Sequence, residues 1–221
     1  MGIFNFLKGK NESAKFTEQL INKYFVKPKI LKVVTKITEK SLAVLEMLDN
    51  TIKKDYKTNK IDYLQKRVEI FFELVCFSLH LTNRIAYKEL GNDNNEKLNE
   101  IIIPLLIEFA ISHFYKQASE NILPDTKAYH KKYRKYLDVS LADYSECKTL
   151  LLKPEDDIAF ADKQAAGWKS SGLVNRLTDE ILYKKLENYN PITYLKIIMI
   201  LSELGKMNEM KKLVMDAKGE L

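Results

Sequence analysis

The chain has 221 residues, with 36 Lys and Arg against 30 Asp and Glu, a formal charge of +6 and a mean hydropathy of −0.28. Apolar residues make up 46%, which excludes a disordered polymer and leaves ample material for a buried core. Seven glycines and five prolines are too few for an all-β sandwich or barrel, which needs turn residues about every 8–12 positions.

The N-terminal stretch Met1–Glu12 reads as a flexible tail. It lacks the long apolar region of a secretory signal, and Phe6 stands where a myristoylation signal has Ser or Thr. Ile3, Phe4, Phe6 and Leu7 are apolar enough to dock on lipid or protein. Ser13 caps an expected helix to about Val26, which Pro28 interrupts by excluding its predecessor from the helical region. The next helix, about 29–54, carries Ile30, Val34, Ile37, Val44 and Leu48 as its inner stripe.

A long helix over about 61–90 ends at Gly91, a C-cap residue ahead of Asn92-Asp93-Asn94-Asn95. Its middle, Ile70 to Phe77, is apolar around most of the circumference, so neighbours should surround it. A fourth helix, about 94–119, holds Pro104 in its interior, where a kink is expected. A fifth covers about 125–152. Pro154 followed by Glu155, Asp156 and Asp157 is a strong start for a sixth, to about 166. After the loop Gly167 to Gly172, helices are expected over about 173–188, 191–204 and 207–218. The segment from Tyr194 to Ala217 resembles a single helix–turn–helix unit of the tetratricopeptide type. Tyr194 stands at its large aromatic position, Gly205 at its turn and Ala217 at its small position, while Met210 replaces another small residue. The unit does not recur upstream and reads as an ordinary αα-hairpin.

The expected fold is therefore all-α: one domain over 13–221 with eight or nine helices, two long central ones and a C-terminal hairpin. A subdivision near 153, setting off 154–221, is the alternative organisation. No stretch reaches the about 20 apolar residues of a membrane span. Cys76 and Cys147 form no CxxC pair, which suits a reducing cytoplasm, and Cys76 inside Leu74–Phe77 reads as a core hydrophobe.

Three groups of residues are candidates for chemistry. Glu69, Glu73, His80 and Arg84 share a face of the third helix. A hairpin about Asn92 would bring Glu73 toward Glu108 and His113. Carboxylates and imidazoles inside a helical bundle can hold metal, but the Glu-x-x-His pair of di-iron proteins is missing, and a buried polar network is the alternative. Lys29, Lys32, Lys36 and Lys40 form one helical row within a segment, 1–60, that carries 13 basic and six acidic side chains. Lys131, Lys132, Arg134 and Lys135 interleave with Tyr129, Tyr133 and Tyr136, a pattern that can grip anionic polymers or simply mark an amphipathic helix. Only four residues of the chain are Arg, the side chain preferred for bidentate phosphate recognition.

No phosphate-binding glycine loop, HExxH, GxSxG, CxxC or EF-hand is present. The sequence thus points to a non-catalytic cytoplasmic scaffold or adaptor with a protein partner or self-association, and implies no cofactor and no metal. Binding of nucleic acid or another anionic surface, and metal-dependent helical-bundle catalysis, are the alternatives.

Overall fold

Apolar residues three and four apart demand helices that hide one side, and helices are what the chain forms. The computed structural model describes residues 27–52, 60–115, 126–147, 150, 172–186, 191–206 and 208–221. These make α1 (Pro28–Ile52), α2 (Lys60–Leu90), α3 (Asn92–Tyr115), α4 (Thr126–Ser145), α5 (Leu173–Asp179), α6 (Pro191–Ser202) and α7 (Asn208–Ala217), with no β-strand among the described residues. The expected count of eight or nine helices is not matched there. The segments 13–26 and 154–166, two of the expected helices, lie outside the described residues, as do the N-terminal tail and residues 167–171 of the expected loop. Among the described residues, no helix is long and apolar enough to cross a membrane.

The residues fall into two compact units, each assembled from separated stretches of chain. The first takes the chain up to Leu42, then Leu81–Lys135 and Met207–Leu221. Ile30, Val33, Val34 and Ile37 of α1, Leu98, Ile102, Leu105 and Leu106 of α3, and Met210 and Val214 of α7 are buried in it. Gly91, the single residue between α2 and α3, has φ +83°, and its N–H donates to Tyr87 O at 3.1 Å, closing α2 in a left-handed cap. The end of the chain returns to α1. Glu220 Oε2 accepts the N–H groups of Lys29 (2.8 Å) and Ile30 (3.2 Å), satisfying donors that a helix start leaves open. Glu209 of α7 pairs with Lys36, and Lys211 with Glu89 at 2.9 Å.

The second unit takes Ala43–His80 and Tyr136–Lys206. Every residue from Ile70 to His80 is buried, as expected of a helix segment apolar on nearly all sides. Among these, Phe77 packs edge-on against Tyr144, with ring centroids 5.8 Å apart. Arg67 Nε donates to Asp49 Oδ2 at 2.7 Å, tying α2 to the end of α1. α5 packs on α6. The expected helix over 173–188 is instead an α-helix to Asp179 followed by a wide π-helical turn, Glu180–Lys185. Leu186 N–H there donates to Ile181 O, five residues back, at 3.0 Å.

Two substitutions test these packing and backbone assignments. Phe77→Ala should lower unfolding free energy in urea by about 3–5 kcal/mol, because it empties a fully buried ring position. Gly91→Ala should cost about 1–2 kcal/mol from backbone strain alone, since an added Cβ there meets nothing within 4 Å.

Candidate functional site

Two rows of side chains at helical spacing generate the most unusual feature of the second unit. On α2, Glu73, Cys76 and His80 fall at intervals of about one and two turns. On α4, Tyr136, Ser140 and Tyr144 are spaced by four. Glu73, only 2% exposed, accepts a hydrogen bond from Tyr136 Oη on Oε2 and another from Tyr144 Oη on Oε1. Lys185, on the π-helical turn, donates to Tyr136 Oη; its Nζ stands 3.5 Å from Glu73 Oε2 and 4.9 Å from the centre of the Tyr136 ring. The Cys76 thiol is hydrogen-bonded to the Ser140 side chain, and the His80 ring lies 6.0 Å from that of Tyr144.

Burial sets the proton affinities. It raises Glu73 above the ordinary carboxylate range, against the pull of Lys185 and the two phenols, with the Glu180 charge adding to the rise. Burial, reinforced by the Glu73 charge, also holds the hydroxyls of Tyr136 and Tyr144 and the Cys76 thiol well above their ordinary values. The phenols are therefore fixed donors and Glu73 the acceptor that collects them. Such an arrangement orients three helical segments. Sealed from water at Glu73, it is not laid out as a solvent-reachable base.

A second buried charge completes the same interior. Arg176 of α5, 4% exposed, lies with Nη1 2.9 Å from Asp143 Oδ2 and 3.6 Å from Glu146 Oε2. All seven residues of α5 are buried, among them Asn175, Arg176, Thr178 and Asp179, and Thr178 Oγ1 donates back to Val174 O.

The structure distributes the sequence-selected residues as follows. Glu73 and His80 are buried in the second unit and Glu69 is half-buried there. Arg84, exposed, and Glu108, half-buried, belong to the first unit, where Glu108 Oε1 faces His130 Nε2 at 3.0 Å. His113 lies on α3, but its side chain is outside the described residues. Of the lysine row, Lys29 and Lys32 are exposed, while Lys36 and Lys40 are half-buried, Lys36 being engaged by Glu209. Glu209 in turn is held below the usual carboxylate range, chiefly by its hydrogen bond to Lys36. Lys131, Lys132, Arg134 and Lys135 are exposed around a buried Tyr133. Cys76 and Cys147 are both free and buried.

Sequence reasoning passed over Tyr144, Lys185 and Arg176, and read Tyr136 only as part of an aromatic stripe. The row 136, 140, 144 on α4 was a readable signal. Nothing local marked Lys185 as the partner of Glu73.

Tyr144→Phe should cost about 1–3 kcal/mol, because Glu73 loses a donor it cannot replace. The pH dependence has a definite sign. Folded Glu73 holds its proton more tightly than in the unfolded chain, so its stability contribution is complete below the ordinary carboxylate value and declines as pH rises through the raised one. In urea unfolding from pH 4 to 8, the wild-type chain should lose stability relative to Glu73→Gln as pH increases. A constant difference, or one of the opposite sign, would refute the assignment. No family model, curated protein or solved structure matches this chain.

Proposed function

We propose that the chain is a non-catalytic, cytoplasmic protein-interaction domain, a scaffold or adaptor, that meets its partner through the outer side of α6. The observation that carries this reading is a mismatch between composition and exposure. α6 has the sequence PITYLKIIMILS, with Lys196 its sole charged residue, the composition of a helix covered all round. Ile197 and Leu201 are fully buried on one side, yet Ile192, Leu195 and Met199, at i, i+3 and i+7, are 65%, 60% and 72% exposed. Other large apolar residues with high exposure, such as Tyr87, Val139 and Met215, sit on separate helices. Isolated exposed hydrophobes are ordinary, whereas an aligned group on one helix is typical of a contact surface.

The metal-dependent reading draws less support. Both Glu73 oxygens already accept phenol hydrogens, and among the described residues no group of three His, Cys, Asp or Glu is arranged to hold a metal ion. The anionic-surface reading retains the exposed Lys131, Lys132, Arg134 and Lys135, but part of the α1 lysine row serves Glu209.

A photoreactive residue at position 195 should crosslink to a protein partner, or to a second copy of the chain, in cytoplasm, and the adduct should vanish when Met199 is replaced by Asp. Met199→Asp should leave unfolding free energy within about 0.5 kcal/mol of wild type, because the site is exposed. Crosslinking indifferent to Met199→Asp would refute α6 as the contact. Association that collapses with added salt and requires Lys131 to Lys135 would favour the anionic-surface reading instead.

A further inference from the structure

Lys185 is a costly residue to bury, and its backbone shares the irregularity. The π-helical turn Glu180–Lys185 keeps the i→i−5 bond from Leu186 to Ile181, where an α-helix would pair Leu186 with Leu182. Each residue of an α-helix turns by about 100°, so restoring the α register would change the direction in which Lys185 projects. The ammonium gains its place from Glu73 and Tyr136. Its neighbour Lys184, by contrast, is exposed and pairs with Glu180 on the same turn. Wide turns of this kind recur where a helix has a function to perform.

We propose that Glu73 and Lys185 form a proton-gated latch: ionised Glu73 holds Lys185 inside and fixes the π-helical turn, and protonation of Glu73 releases both. The groups facing the carboxylate come from three elements. α2 supplies Cys76 and, through Tyr144, His80; α4 supplies Tyr136 and Tyr144; the turn supplies Lys185 and, in the same field, Glu180. A protonated Glu73 keeps the two tyrosines as neighbours and loses its hold on the ammonium, whose favourable alternative is water.

The direction follows from linkage. Lys185 lowers the proton affinity of Glu73 in the latched form, and that effect disappears once the lysine has left. In an open form that keeps Glu73 buried under Tyr136 and Tyr144, protons therefore bind better, and acid shifts the population toward it. The global effect of Glu73 runs the other way, since its raised proton affinity strengthens the folded state on acidification. The latch thus predicts local loosening of one turn without a Glu73-driven loss of overall stability.

Backbone hydrogen exchange of the intact chain, corrected for intrinsic rates, tests this at pH 8 and pH 5. Amides 181–186 should lose protection by about tenfold at pH 5, while α1 amides 33–41 serve as the reference. Glu73→Gln should show the low protection at both pH values. Lys185→Met, which leaves Glu73 without its counter-charge, should reverse the response and protect the turn better at pH 5. Unchanged wild-type protection overturns the proposal. So does an acid response that persists in Glu73→Gln. Should Glu73→Gln not fold, a wild-type-like acid response in Lys185→Met overturns it equally.

Discussion

A carboxylate removed from water must recover its lost hydration from the protein, and in the second unit that requirement organises α2, α4 and the turn after α5 around one residue. Glu73 receives two phenol hydrogens and a nearby ammonium, one contribution from each side chain that reaches it. Apolar packing alone tolerates many arrangements of helices that differ by a rotation or a slip of one turn. A hydrogen-bonded carboxylate tolerates few, because a displaced phenol leaves a buried acceptor unmet. Arg176 imposes the same condition on α5 relative to α4 through Asp143. Together the two charges select one register from those that the hydrophobic surfaces would permit.

Much of the fold was legible, because burial on helices leaves a one-dimensional trace. Ile30, Val34, Ile37, Val44 and Leu48 were selected from spacing, and all five are buried. The apolar circumference of 70–77 announced a surrounded helix, and Gly91 announced the end of α2. The site was legible only in part. Glu73 stood out as a charge within an apolar run, but its tyrosine partners lie 63 and 71 residues away, and periodicity carries no information on which faces meet. The lysine row illustrates the same limit. Spacing alone leaves Lys36 open to an anion, and the fold pairs it with Glu209. The π-helical turn left no trace in the spacing of apolar residues over 173–186.

Within the second unit, α5 and α6 invert the usual division of polar and apolar groups. Four of the seven residues of α5 are buried and polar, while α6, packed on it, sets Leu195 and Met199 toward water. A helix with polar groups inside gains specificity of placement at some expense in stability. A helix with apolar groups outside gains affinity for a second surface at some expense in solubility. Placing the two side by side couples a sharply defined support to an adhesive one, an arrangement suited to presenting a contact surface in a fixed orientation.

The first unit carries a consequence for biosynthesis. Glu209 and Glu220 bind Lys36 and the backbone of Lys29 and Ile30, so α1 acquires these partners only after about 170–190 further residues have been translated. At roughly 5–20 residues per second, a ribosome takes on the order of ten seconds or more to deliver them. During that interval Lys36 lacks Glu209, and the first N–H groups of α1 lack the Glu220 carboxylate. Completion of this unit is in that sense deferred until α7 has been made.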